Sequence, residues 1–251
     1  MTWDPTLYGR YADERARPFF DLVARIGAAG PRTVADLGCG TGELTVRLAG
    51  RWPGADLYGL DSSPEMIAKA PPGARFEVGD VRAWRPPAPV DVIVSNALLQ
   101  WIPEHRELLA RWAREDLAPG GWLAFQVPGN FGSPSHVLIR ELCRSPAWRD
   151  ELGDLVREAP VGDPAEYYGL LAAEGCEVDA WETTYLHVLQ GENPVLTWVR
   201  ATALRPMLAR LTGDRQEAFL ADAARLLAEA YPASPYGTPF PFRRIFVVAR
   251  R

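Results

Sequence analysis

From residue 33 onward, short apolar runs alternate with segments whose apolar residues recur at helical spacing. TVADLG (33–38), DLYGLD (56–61), ARFEVGD (74–80), VDVIVSNA (90–97) and GWLAFQVP (121–128) read as strands. Between them, GELTVRLAGRW and HRELLARWARED carry apolar positions three and four residues apart, the spacing of one helix face. SSPEMIAKA opens a further helix, with Ser63 as N-cap and Pro64 at the first helical position. Strands alternating with helices predict βαβ units, a mostly parallel sheet and right-handed crossovers. RPPAPV (85–90) reads as a surface loop before a strand.

The second half has a different rhythm. Residues 129–162 and 190–242 contain helical patterns, HVLIRELCRS, PVLTWVRATALRPMLARL and QEAFLADAARLLAEAY. Between them lie a helix, DPAEYYGLLAAEG, and a strand, EVDAWETTYLHVL, and RRIFVVAR closes the chain as a last strand. The two helical stretches read as insertions that pack together over the carboxyl edge of the sheet as a cap; plain core-filling helices are the alternative. Residues 1–31 read as an N-terminal lid segment, and 1–251 as one domain.

Composition narrows the possibilities. With 251 residues, 47% hydrophobic and 24% charged, the chain has material for a substantial core. Its net charge of -5 argues against a general nucleic-acid binder, though not against a local basic pocket. Cys39, Cys143 and Cys176 are scattered and form no CxxC pair, which points to a reducing, cytoplasmic setting without a disulfide framework. His105, His136 and His187 are equally scattered, so no metal is expected. The N-terminus lacks the pattern of a signal peptide and no run reaches transmembrane length, so no membrane partner is expected either.

The candidate chemistry sits at VADLGCGTGELT (34–45). Gly38, Gly40 and Gly42 alternate as GxGxG, unlike the GxGxxG of dinucleotide binders, at a strand-to-helix turn where a backbone can approach a ligand closely. Asp36 precedes the turn, Asp61 ends the second strand where an acid accepts hydrogen bonds from ribose hydroxyls, and Asp80 ends the third. Three carboxylates are thus expected to line one crevice. They would repel a pyrophosphate and attract the ammonium and sulfonium of S-adenosylmethionine.

VADLGCGTGELT, GLDSSPEMIAKA, VGDVRAW and LAPGGWLAFQVP, in that order, resemble the motifs of class I S-adenosylmethionine-dependent methyltransferases. The resemblance implies a Rossmann-like α/β fold whose seven-stranded sheet is mostly parallel, with RRIFVVAR antiparallel. It places Asp36 and Gly38 near the methionine end of the cofactor, Asp61 on its ribose, and Asp80 with Val81 at its adenine. Cys39, Gly40, Ser62, Met66 and Asn96 complete the implied cofactor set, and S-adenosylhomocysteine is the implied product. A closer resemblance, carried by WDPTLYGRYADERARPFFDLVAR, SNALLQWIPEH, SPSHVLIRELC, EGCEVDAWETTYLH, WVRATALRPML and FRRIFVVARR, extends along nearly the whole chain to the trans-aconitate methyltransferases. It implies esterification of one carboxylate of a small tricarboxylic acid.

The residues are compatible with that chemistry. A carboxylate is ionised at neutral pH and needs no general base, so no obligatory catalytic side chain is expected; alignment and desolvation suffice. An anionic acceptor needs cations. His136 and Arg140 are four apart on one helix face, and Arg244 enters the last strand, so these three are candidate acceptor contacts. Arg200 and Arg205 lie on or beside another inserted helix. Trp101 in SNALLQWI, together with Asn96, follows the fourth strand where cofactor and acceptor meet, and Tyr8, with Tyr11, belongs to the lid segment. A methyltransferase acting on another small molecule is the nearest rival; an NAD-linked oxidoreductase and a non-catalytic cofactor-binding protein are more distant ones. A monomer or weak homodimer is expected.

Overall fold

The computed structural model describes residues 12–156, 158 and 160–251, so Tyr8 and Tyr11 lie outside the described residues. The first described element, α1 (Ala12–Ala24), leads into β1 (Thr33–Leu37), α2 (Glu43–Arg47) and β2 (Asp56–Asp61). Then follow α3 (Pro64–Ile67), β3 (Arg75–Val78), β4 (Val90–Asn96), α4 (His105–Arg111) and β5 (Leu117–Pro128). The strands run in the order β3-β2-β1-β4-β5-β7-β6, where β6 is Glu177–Leu189 and β7 is Thr238–Arg250. The first five strands pair in parallel, and β7 is antiparallel to both β5 and β6. This is the expected seven-stranded Rossmann-like sheet. Chain order reverses at β1, which puts the switch-point crevice between the carboxyl ends of β1 and β4.

The central strands read as near-continuous apolar runs because both faces are covered. On one face Leu37, Ile93, Leu123, Phe125 and Val247 pack with Trp112, Tyr167 and Leu171. On the other, Val34, Val92, Val94, Ala124 and Phe246 pack with Phe19, Leu22 and Ile26, which extends the core to α1. Among the described residues no helix is long and apolar enough to cross a membrane.

A third core lies past the carboxyl ends of the strands. It joins Ile139, Leu142 and Trp148 of the first inserted stretch to Trp198, Met207, Phe219 and Leu227 of the second. The helices involved are α5 (Pro134–Arg144), α6 (Arg149–Leu152), α8 (Pro194–Arg200), α9 (Arg205–Arg210) and α10 (Gly213–Ala230); α7 (Pro164–Ala173) instead packs on the sheet. Strands β6 and β7 supply the floor of this core. Thr183, Arg244 and Pro128 stand abreast where β5 ends, and the β6–β7 ribbon continues from there to the Leu189–Thr238 pair. Leu189, Phe240 and Phe242 on that projection are part of the cap core.

Two element boundaries depart from the sequence pattern. PVLTWVRATALRPMLARL forms two helices, α8 and α9, because Pro206 in the first turn of α9 has no N–H with which to continue a ladder from α8. The last strand begins at Thr238 instead of Arg243, despite Pro239 and Pro241. Beyond Arg243 the described sheet gives β7 one neighbour, β6, and both prolines point the same way along this edge, where a missing N–H is tolerated.

Candidate active site

The turn after β1 is fastened to β2: the N–H groups of Gly38 and Cys39 both donate to the Leu60 carbonyl, at 2.8 and 3.0 Å. Gly38 and Gly40 take left-handed φ values of 83° and 58°. A Cβ on Gly38 would lie 2.9 Å from Leu98, whereas one on Gly40 would meet nothing within 4 Å. Gly38 therefore serves close packing and Gly40 faces open space. Asp61, at the end of β2, accepts the Gly40 N–H on Oδ2 and the Ser63 N–H on Oδ1, both at 2.9 Å. Each oxygen keeps a lone pair for a further donor. Ser63 caps α3 through the Met66 N–H, as expected; Met66 is buried beneath this turn and Ser62 is exposed.

Asp36 does not face the crevice with Asp61, and this corrects the expectation of three carboxylates facing a ligand; Asp80 lies just past β3, beside Asp61, whose carbonyl accepts the Gly79 N–H at 2.9 Å. Asp36 is 2% exposed and accepts a 2.5 Å hydrogen bond from the Thr45 hydroxyl. Burial pushes its carboxyl up to about 7, with a smaller contribution from Asp61, while the Thr45 bond opposes the shift. Asp80 is exposed and gripped by Arg82, whose Nε lies 2.9 Å from both carboxylate oxygens, so its pKa is held low. The Val81 side chain is buried in the core with Leu60 and Trp84. Burial, followed by the charges of Asp36 and Asp61, keeps the Cys39 thiol protonated, and Cys39 has no nucleophile's environment.

The glycine turn fits S-adenosylmethionine better than a pyrophosphate. Its helix, α2, has five residues with Glu43 in the first turn, and the rim group is the Asp61 carboxylate. An acid at that rim suits ribose hydroxyls and disfavours a phosphate.

Across the carboxyl ends of β4 and β5 and the middle of antiparallel β7 runs a row of side chains. Arg244, 5% exposed, donates from Nη1 to Oε1 of fully buried Gln126 at 3.1 Å. Gln126 in turn donates from Nε2 to Oδ1 of Asn96 at 2.6 Å. The Gln126 carbonyl also receives the N–H of Ala97, a non-glycine residue at φ 56°. Strain of this kind concentrates at sites the surrounding fold holds fixed. Trp101 lies in the following 3-10 turn, Leu99–Trp101. The guanidinium of Arg244 also sits 4.8 Å above the Phe242 ring.

The helix-borne candidates behave differently. Arg140 donates to the Phe131 carbonyl at 2.6 Å, and the His136 ring meets the Phe131 ring edge-on at 5.2 Å. Burial, aided by Arg140, lowers His136 to about 4, so it is a neutral group at physiological pH. Arg140 and His136 thus converge on Phe131 from α5, and Arg244 stands on β7. Arg200 is exposed; Arg205 begins α9 and burial lowers its pKa. His105 bridges the Ile102 carbonyl and the Tyr167 hydroxyl inside the core, a structural role.

Three residues escaped the sequence reading. Gln126 hides in an apolar strand and shows itself there as one polar residue in LAFQVP. His187 is stacked 4.9 Å from Trp198, and burial with Arg244 and Arg17 nearby lowers it to about 4. Asn130, just after β5, is 1% exposed with neither amide atom hydrogen-bonded among the described residues. Among the described residues no group of three His, Cys, Asp or Glu is placed to hold a metal ion.

Residues 8–180 match the family model of a methyltransferase domain. YcgJ of Bacillus subtilis has the same fold, with a TM-score of 0.60 at 16% identity over 94% of this chain and 98% of its own. Trans-aconitate 2-methyltransferase of Streptomyces avermitilis is 53% identical over 100% of this chain and 97% of its own. The enzyme of that name from Rhodococcus jostii is 54% identical over 99% of both chains. The chain belongs to the trans-aconitate 2-methyltransferase family.

Proposed function

We propose that the chain transfers a methyl group from S-adenosylmethionine to one carboxylate of trans-aconitate, giving a monomethyl ester and S-adenosylhomocysteine. The observation that carries this reading is the juxtaposition at the sheet's carboxyl edge: an acid, Asp61, at the glycine turn, and a buried cation, Arg244, three strands beyond β1. When bound, the cofactor supplies a sulfonium methyl. A carboxylate oxygen forms the new O–CH3 bond with its own electron pair as the S–CH3 bond breaks. No proton moves, and no base is needed.

The chain's part is placement. Asp61 takes the ribose hydroxyls, and Gly38, Cys39 and Gly40 leave room for the methionine end, with Asp36 supporting the turn from below through Thr45. Ser62, Met66, Asp80 and Val81 frame the adenine end, the last through its backbone. Asn96 and Trp101 bridge cofactor and acceptor. Arg244, Arg140 and His136 hold the acceptor's carboxylates. Residues 129–162 and 190–242 act as a cap over this edge within one domain spanning 1–251. Excluding water strengthens these contacts and strips the attacking oxygen of its hydration shell.

The test is mass spectrometry of the product formed from methyl-labelled S-adenosylmethionine and trans-aconitate by the purified chain. A labelled monomethyl ester is expected. Turnover on an uncharged analogue at equal efficiency, or on a hydroxyl acceptor alone, would overturn the tricarboxylate reading.

A further inference from the structure

The geometry points to Gln126 as a positioning residue that fixes which end of the Asn96 amide faces the cleft. A guanidinium has five donors and no acceptor. Facing Arg244 Nη1 at 3.1 Å, Gln126 must present Oε1, which turns Nε2 toward Asn96. Nε2 can only donate, so Asn96 must offer Oδ1, and it does so at 2.6 Å. The Asn96 Nδ2 donors are then directed away from Gln126.

Burial makes the orientation rigid. Gln126 is fully buried, and reversing its amide would set donor against donor at Arg244 and acceptor against acceptor at Asn96, a cost that low-dielectric surroundings magnify. Its backbone is held as well: the Gln126 carbonyl accepts the Ala97 N–H at 3.0 Å, and Asn96 and Gln126 stand opposite one another in the β4–β5 register. The row thus presents donors at the end of β4 and, on β7, level with the end of β5, a polarity that suits a carboxylate. This rests on the reading that the cofactor's amino-acid end and the acceptor meet at this edge. Either can supply the carboxylate, and the test separates them.

Gln126→Glu is the probing change, since a carboxylate of the same shape accepts from both neighbours. It obliges Asn96 to turn, so that Nδ2 donates inward and Oδ1 faces the cleft. In side-chain amide NMR spectra of the ligand-free wild type, the Gln126 Nε2 protons should be protected from solvent exchange. The Asn96 Nδ2 protons should exchange faster and shift when trans-aconitate or S-adenosylhomocysteine is added. In Gln126→Glu the Asn96 protons should become protected. The KM for trans-aconitate, or the Kd for S-adenosylhomocysteine, should rise about tenfold or more while the melting temperature holds. Whichever constant moves identifies the carboxylate.

Unchanged Asn96 resonances with both constants within about twofold of wild type would overturn the proposal. So would wild-type spectra in which Asn96 is the protected amide and Gln126 the exposed one, an outcome that needs no variant to fold. Failure of the wild type to methylate trans-aconitate sinks the functional reading alone, because the amide spectra require no turnover.

Discussion

Replacing Asp61 with alanine tests the cofactor half of the site most directly. Its two oxygens hold the Gly40 and Ser63 N–H groups at 2.9 Å, so the carboxylate shapes the turn in addition to its proposed role at the ribose. Two separable losses follow. Charge-assisted hydrogen bonds to the ribose are worth roughly 1.5–3 kcal/mol, which predicts a Kd for S-adenosylmethionine raised about tenfold to 150-fold. Freed backbone donors at a half-exposed turn can turn to water, so the cost to the fold should stay within about 1–2 kcal/mol. Asp61→Asn sharpens the distinction. It keeps one acceptor for the backbone but sets an NH2 against the other N–H, and its loss of charge weakens the ribose contact. Calorimetric titration of both variants, alongside urea unfolding, reads the two quantities apart. Wild-type affinity in Asp61→Ala with a measurable loss of stability would refute the ribose role and leave Asp61 as a turn anchor only.

Arg140→Ala should raise the KM for trans-aconitate far more than that for S-adenosylmethionine, by the equivalent of roughly 2–5 kcal/mol, and Arg140→Lys should recover only part; steady-state kinetics near wild type would remove Arg140 from the acceptor site. In Asp36→Asn, which removes the carboxyl raised to about 7, turnover at saturation should be flat from about pH 6.5 to 8.5, because His136 and His187 are lowered to about 4 and neither changes charge in that window. An inflection in single-turnover rate that persists in Asp36→Asn would reveal a general base. Asp36 itself should make stability fall with rising pH: its carboxyl, raised from 3.8 to about 7 on folding, holds a proton that the unfolded chain has released between those values. Wild type should lose roughly 3 kcal/mol between pH 5 and pH 8 that Asp36→Asn does not, measured by urea unfolding at both pH values.

The sheet was legible because its signal is local and repeated. Largely buried parallel strands such as TVADL and VDVIVSN leave a mostly apolar run, and Ser63–Pro64 announces a helix start by side-chain chemistry that the Met66 N–H then realises. The glycine turn was legible for the same reason, since positive φ at Gly38 and Gly40 demands glycine. What the sequence hides is direction. Asp36, Asp61 and Asp80 occupy similar places in the strand pattern, yet one faces Thr45, one faces the turn and one is clasped by Arg82. No periodicity distinguishes them, because the difference lies in which neighbours tertiary folding brings within 3 Å. Pro239 and Pro241 mask the start of β7 for a related reason: whether proline breaks a strand depends on whether another strand needs its N–H.

The longest-range consequence of the fold is that cap and site share a strand. β7 carries Phe240 and Phe242 into the cap core and, two residues on, Arg244 into the row that ends at Asn96. The Arg244 guanidinium lies over Phe242, so its position is set by cap packing on one side and by Gln126 on the other. A cation placed in this way need not be gathered from solvent when an anion arrives, and the entropy of fixing a long side chain has been met during folding. The same logic explains an acidic protein with an anionic substrate. Net charge governs encounter at long range, where salt screens it, whereas a buried guanidinium acts at contact distance in a low dielectric. In the proposed acceptor site, one arginine held in a rigid hydrogen-bonded row at the sheet edge therefore outweighs a net charge of -5 spread over the chain.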